Sequence, residues 1–220
     1  MGNDQSSSEI EGYIEKSRLK VFGLHGWRTN AKILKMQTAA MVYHTKFDLL
    51  AVNAPFDADG PPDQGIGTIY PNENYYQWYN RKLGVNDGLE NTIDFLSNIF
   101  NGSDANLDGS LGFSQGAGVL TLYLMHCKQR GRQFPVRFVI LIGGIEPPDH
   151  TIVSCHSEPL DIPSLHIIGR ADPLLSRSER LLTFYNPDKA TILYHSEGHN
   201  IPSIRTQLYP SILMWLESLQ

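Results

Sequence analysis

The sequence predicts an α/β fold, a mostly parallel central sheet with helices on both faces, and three observations lead to it. Short apolar runs alternate along the chain with segments whose apolar residues recur at helical intervals. One run, Phe138-Val139-Ile140-Leu141-Ile142, is apolar throughout, as a strand covered on both faces must be. A Gly-x-Ser-x-Gly pattern at 112–116 falls where a short strand meets a helix.

The elements follow in order. Residues 19–24 read as a strand ending at His25-Gly26, and 31–43 carry Ile33, Leu34, Met36, Ala40 and Met41 at helical spacing. A second strand at 47–52 precedes a long insert, 54–83. A helix at 87–100 presents Leu89, Ile93, Leu96 and Ile99 on one side. The strand 109–113 runs into a helix at 115–129, and the apolar strand 138–142 ends in Gly143-Gly144. Strands at 165–168 and 191–194 bracket a helix at 178–185, and a last helix covers 203–219. In such sheets ligands bind at the carboxyl ends of the strands, so the residues just after each strand are the candidates for function.

The insert is rich in Pro, Gly and aromatic residues, including Tyr70, Tyr75, Tyr76, Trp78 and Tyr79. A connection this long inside a compact domain is functional or disordered, and its aromatic content argues against disorder. It reads as a lid, with Tyr75, Tyr76 and Trp78 as candidate pocket residues. The polar start of the chain reads as a flexible tail, 1–17, before a single domain spanning 18–220.

With 220 residues, the chain is long enough to bury a core and shape a cleft. A net charge of −5, without a Lys/Arg run, excludes a polyanion-binding surface and with it nucleic acid. No apolar run approaches the roughly 20 residues that cross a bilayer, so no stable membrane insertion is expected. Cys127 and Cys155 fit neither a disulfide framework nor a zinc spacing, which points to a reducing, cytoplasmic setting, with the nucleus also open. Gly2 followed by Ser6 matches a short N-myristoylation pattern but lacks the polybasic second signal of a stable anchor.

Gly112-Phe113-Ser114-Gln115-Gly116 has the form of a nucleophile elbow, in which glycines spare the Cβ atoms that a sharp strand-to-helix turn cannot hold. Chance alone produces such a match in roughly one chain of this size in ten, so its position carries the weight. A serine hydroxyl needs a base oriented by a third group. In the chain order of such sites both partners follow the serine. Asp172, in Gly169-Arg170-Ala171-Asp172-Pro173, directly follows a strand; Asp161 and Asp188 precede theirs. Of His126, His150, His156, His166, His195 and His199, the last sits in a turn, Gly198-His199-Asn200-Ile201-Pro202, that can bend back over the sheet; His195 is its rival. The expected catalytic set is Ser114, His199 and Asp172. The backbone N–H groups of Gln115 and Trp27 are the expected oxyanion donors, and His25 braces the loop before Trp27.

These motifs resemble the FSH group, a family of α/β-hydrolases that takes in fungal enzymes and an animal ovarian-tumour-associated homologue. Leu24-His25-Gly26-Trp27, Tyr75-Tyr76-Gln77-Trp78, the elbow with Ala117, and the Asp172 and His199 segments occur in the family's order from Leu19 to Leu219. The resemblance implies an α/β-hydrolase fold, nucleophile, acid and base at Ser114, Asp172 and His199, and carboxylesterase or acyl-thioesterase activity without metal or organic cofactor. The polar tail before Leu19 is a departure from the pattern. The expected partner is a small-molecule or acyl-carrier ester or thioester with an apolar acyl chain. Two other readings stand beside it. An acyl-protein thioesterase or lysophospholipase type shares the Gly-Phe-Ser-Gln-Gly elbow but more often has a His-Gly-x-Gly segment where this chain has His25-Gly26-Trp27-Arg28. A hydrolase-fold receptor would keep the same residues with slow turnover.

Overall fold

The structure, a computed structural model, describes residues 18–82, 85–102, 106–148 and 158–220. The expected tail at 1–17, with Gly2, and the residues His150, Cys155 and His156 lie outside the described residues.

Six strands form one parallel sheet: β1 (Leu19–Leu24), β2 (Phe47–Ala51), β7 (Gly109–Phe113), β8 (Phe138–Ile142), β9 (Ser164–Gly169) and β10 (Ala190–His195). Their order across the sheet is β2-β1-β7-β8-β9-β10. The chain first moves outward from β1 to β2, then returns to the other side of β1 and proceeds away from it. The order reverses between β1 and β7, and the crevice beyond their carboxyl ends is where an open parallel sheet admits a ligand. β7, β8 and β9 are buried at every position, which is why their sequences lack the alternation of a half-exposed strand.

The helices divide between the two faces. α1 (Ala31–Thr45) begins where the Asn30 side chain accepts the Ile33 N–H at 2.7 Å, a cap for one of the free amides of the first turn. With α6 (Tyr209–Glu217) it covers one face, packing Leu34, Met41, Ile212 and Leu216 against Phe47, Leu111, Phe138 and Ile140. On the other face α3 (Leu89–Phe100), α4 (Gln115–Gln129) and α5 (Leu175–Leu182) bury Leu96, Leu120, Leu124 and Leu181 against Leu24, Val139 and Leu141.

The insert is more ordered than the sequence suggests. It holds β3 (Phe56–Asp57) paired with β4 (Tyr76–Gln77), the short helix α2 (Gln64–Ile69), and β5 (Asn80–Lys82), which pairs with β6 (Val85–Asp87) just beyond it. Two helices also depart from expectation. The one expected at 178–185 begins at Leu175, because the Asp172 carboxylate accepts the Leu174 N–H at 2.7 Å and starts the turn early. The last one is broken: a 3₁₀ turn at Ile204–Thr206 stops at Gln207, in the left-handed region at φ 57°, before α6 begins. Pro210, in the first turn of α6, has no N–H to continue a helix from upstream and would clash with the preceding turn.

Candidate active site

Ser114 stands between β7 and α4 with φ 53° and ψ −115°, a backbone conformation costly for any residue with a Cβ. The turn is possible because its neighbours are glycines. A Cβ at Gly112 would lie 2.5 Å from the Ala117 Cα, and one at Gly116 would lie 2.3 Å from the Leu24 carbonyl oxygen. The hydroxyl is thereby raised at the end of the sheet, over the crevice between β1 and β7.

His199 arrives from the loop after β10, and its Nε2 lies 2.8 Å from the Ser114 Oγ. Its Nδ1 lies 2.7 Å from Oδ2 of Asp172, which follows β9. The Asp172 side chain is fully buried, whereas that of His199 is 24% exposed. Phe113 packs its ring against the imidazole, with centroids 5.3 Å apart. The loop itself is tied by Glu197, whose carboxylate accepts from the Asn200 amide at 3.0 Å and from the Ser203 hydroxyl. Glu197 titrates below the usual glutamate range, chiefly through that Ser203 hydrogen bond.

The rival histidines lie elsewhere. His195 is buried at the end of β10 with neither ring nitrogen hydrogen-bonded among the described residues. His166 sits inside β9, its Nε2 3.1 Å from the Ser164 Oγ, and burial pushes it down to about 3. His126 projects from α4 and is lowered by partial burial first, then by Arg130 and Arg132.

His25 is buried in the loop after β1. Its Nε2 accepts the Ala54 N–H at 3.0 Å, which leaves the proton on Nδ1, 2.8 Å from the Gly26 carbonyl oxygen. Burial lowers its pKa to about 4, the Gly26 carbonyl opposing. A neutral ring in this tautomer joins the β1 loop to the start of the insert.

A cleft of about 320 Å³ opens over Ser114, walled by Trp27, Arg28, Asp59, Tyr79, Gln115, Ile145, Leu174 and Arg177. The expected oxyanion residues, Trp27 and Gln115, thus share this cleft with the serine. Neither backbone N–H has an acceptor among the described residues.

The expected lid residues require correction. Trp78 is fully buried and donates its indole N–H to the His25 carbonyl at 2.8 Å, so it belongs to the core beneath the loop. Tyr75 and Tyr76 line a separate depression with Asp57, Ala58, Gly60, Glu73 and Asn74. The insert residues that reach the cleft are Tyr79 and Asp59. Gln115 helps to hold Tyr79 there, because its side-chain Oε1 accepts the neighbouring Trp78 N–H at 3.1 Å. The missed residues had partial signals: Arg28 adjoins Trp27, Ile145 closes the segment after β8, and Arg177 follows the Asp172 motif by one helical turn. The insert is also fixed in place. Trp27 Nε1 donates to Gln77 at 3.1 Å, Tyr76 N–H donates to the Thr29 carbonyl at 2.7 Å, and Arg28 grips Asp59 at 2.7 Å.

A six-stranded parallel sheet, flanked on both faces and turning a strained serine out at its switch point, is the architecture of the α/β-hydrolases. Within that class, a sequence model described as serine hydrolase (FSH1) matches residues 15–210, and the chain belongs to this family. It is 29% identical to the esterase OVCA2 of Xenopus tropicalis over 92% of this chain and 94% of that one. It is 29% identical to the esterase AAEL000016 of Aedes aegypti over 97% of this chain and 81% of that one. Among solved structures, acyl-protein thioesterase 2 of Zea mays matches with a TM-score of 0.61 at 16% identity, covering 92% of this chain and 94% of the other. Esterase PE8 matches with a TM-score of 0.60 at 19% identity over 93% and 94%. Those two likenesses concern the fold. The family expected from the motifs is the family found.

Proposed function

We propose that this serine hydrolase cleaves carboxylic esters or thioesters through an acyl-enzyme on Ser114, with His199 as base and Asp172 as its orienting acid. The observation that carries the reading is the unbroken chain of contacts from Asp172 to His199 to Ser114, at 2.7 Å and 2.8 Å. His199 Nε2 takes the hydroxyl proton as Oγ attacks the carbonyl carbon. The resulting oxyanion accepts hydrogen bonds from the Gln115 and Trp27 amides, and that neither has another acceptor among the described residues supports the role. The imidazolium, stabilised by Asp172, returns the proton to the leaving alcohol or thiol. Water, deprotonated by the same nitrogen, then attacks the acyl-enzyme, and collapse of the second tetrahedral intermediate frees the acid and Ser114.

The cleft volume is at the small end for an organic ligand, and Trp27, Tyr79, Ile145 and Leu174 give it apolar walls. A short to medium acyl chain is the substrate that fits. The insert 54–83 serves as a fixed wall of the same domain rather than a swinging cover, a reading supported by its ties to Trp27, Arg28 and Thr29.

A fluorophosphonate probe tests the nucleophile. The protein should become labelled with loss of esterase activity, and Ser114→Ala should remain unlabelled and inactive. Labelling that persists in Ser114→Ala rejects the assignment.

A further inference from the structure

Two arginines, Arg28 and Arg177, line the cleft, and they differ in how much of their hydrogen-bonding capacity is already used. Arg28 is nearly saturated. Its Nε and Nη2 donate to Asp59 at 3.2 Å and 2.7 Å, its Nη1 donates to the Pro61 carbonyl at 2.9 Å, and the guanidinium lies 4.0 Å over the Trp27 ring. Its charge is matched by Asp59 and its plane is covered. Arg28 is a clamp between the β1 loop and the insert.

Arg177 is different. Only its Nε is engaged, with Glu146 Oε2 at 2.9 Å, and its terminal amino groups have no partner among the described residues. Glu146 does not cancel it alone, because its other oxygen accepts from Arg180 at 3.0 Å. One carboxylate between two guanidiniums leaves a net positive charge at this wall. Partial burial opposes ionisation of Glu146, but hydrogen bonds from Arg177 and Arg180 help to hold it below the usual glutamate range, so the carboxylate stays charged and keeps its hold on the Arg177 Nε. The helix that carries Arg177 is fixed as well, since Ser178 Oγ donates to the Gly144 carbonyl at 2.8 Å. Arg177 is about a quarter exposed, so its charge is less screened than that of a surface arginine.

We propose that Arg177 is a specificity residue that recognises an anionic group on the substrate, so that preferred substrates are esters or thioesters carrying a carboxylate or phosphate away from the scissile bond. A guanidinium offers two parallel N–H donors to such a group, and one held by its Nε is already oriented to do so. The anion can reside on the acyl side, as in the half-ester of a dicarboxylic acid, or on the leaving group, as in a phosphate-bearing thiol. The proposal rests on Ser114 as nucleophile and adds a charge requirement to that site.

Two matched pairs test it. Monoethyl adipate against ethyl hexanoate, followed by acid release, places the charge on the acyl group. Hexanoyl-CoA against S-hexanoyl-N-acetylcysteamine, followed by thiol release, places it on the leaving group. The expected result is a kcat/KM ratio of at least about tenfold in favour of the anionic member of one pair, which names the side that carries the charge. That ratio should fall at least about fivefold in Arg177→Gln and less in Arg177→Lys. Raising the salt from about 20 mM to about 500 mM should also lower it in the unaltered protein, and this arm decides if the glutamine variant does not fold. Ratios near one in both pairs, or a ratio that neither substitution nor salt reduces, overturn the proposal. Cleavage of none of the four, with Ser114 unlabelled by the probe, overturns the catalytic reading and this proposal together. Cleavage of all four without charge preference overturns the proposal alone.

Discussion

Glu197 closes the loop that carries His199 by gripping Ser203 twice, accepting from its hydroxyl at 2.6 Å and from its backbone N–H at 3.2 Å. The imidazole thus hangs from a short span whose two ends are joined by one carboxylate. Glu197→Gln should lower kcat roughly tenfold with a smaller change in KM, because the base loses alignment while the cleft keeps its walls. The stabilising contribution of Glu197 is present above the ordinary glutamate value of 4.5 and is lost as the pH falls through its depressed folded value. The difference in Tm between the unaltered protein and Glu197→Gln should therefore be larger at pH 7 than below pH 4. An equal difference at both would show that the ionised carboxylate is not what closes the loop.

Asp172→Asn keeps the size of the buried side chain but removes its charge and offers a donor where an acceptor stood. We expect kcat to fall about 10³- to 10⁴-fold, with Tm changing far less than activity. Steady-state kinetics with any accepted ester measures it, and a loss under tenfold would remove Asp172 from the mechanism.

Gly116→Ala should be among the most damaging single-methyl additions in the chain. The added Cβ would meet two backbone carbonyl oxygens, of Leu24 at 2.3 Å and His25 at 2.6 Å, neither of which belongs to a movable side chain. The expectation is a loss of roughly 3 kcal/mol or more, seen as a large drop in the denaturation midpoint or as insoluble protein. A variant that melts with the parent would contradict the close approach of α4 to the β1 loop.

Buried neutral histidines make the fold acid-sensitive. His25 is lowered to about 4 and His166 to about 3, in both cases chiefly by burial. Unfolded histidines protonate near 6.5, so the unfolded chain gains protons first as the pH drops. Stability from these two sites is complete above about pH 6.5 and declines toward pH 4 for His25 and pH 3 for His166. Thermal melting should show Tm falling by roughly 5–10 °C between pH 7 and pH 4.5. A flat profile over that interval would mean that the two rings are solvated or already charged.

Arg28→Ala removes the clamp on the insert. Susceptibility of 54–83 to limited proteolysis should rise clearly, and kcat/KM should drop about tenfold through loss of the Asp59 and Tyr79 wall. An unchanged digestion pattern would assign the rigidity of the insert to its other contacts.

Much of this was legible in the sequence where a physical rule leaves few options. β8 runs as its unbroken apolar pattern predicts, because a strand buried on both faces has no alternative way to satisfy its composition. The places of Ser114, Asp172 and His199 just after strands single them out, and the fold brings their side chains within hydrogen-bond reach. The rest depended on contacts between distant segments. Trp78 was indistinguishable by composition from a pocket aromatic, and its buried role comes from the free His25 carbonyl, visible only once the insert has folded over the β1 loop. Arg177 carried no motif, and its place in the cleft follows from α5 starting three residues earlier than its apolar spacing suggested.

Ser114 and His199 are 85 residues apart in the chain and meet through the ends of β7 and β10, which lie on different sides of β8 and β9. No fragment that lacks the last third of the polypeptide can assemble even a weakened version of this centre. On the proposed mechanism, a serine still waiting for the final strand during synthesis is expected to be chemically quiet, so that reactivity toward an electrophile would report that the whole sheet has assembled.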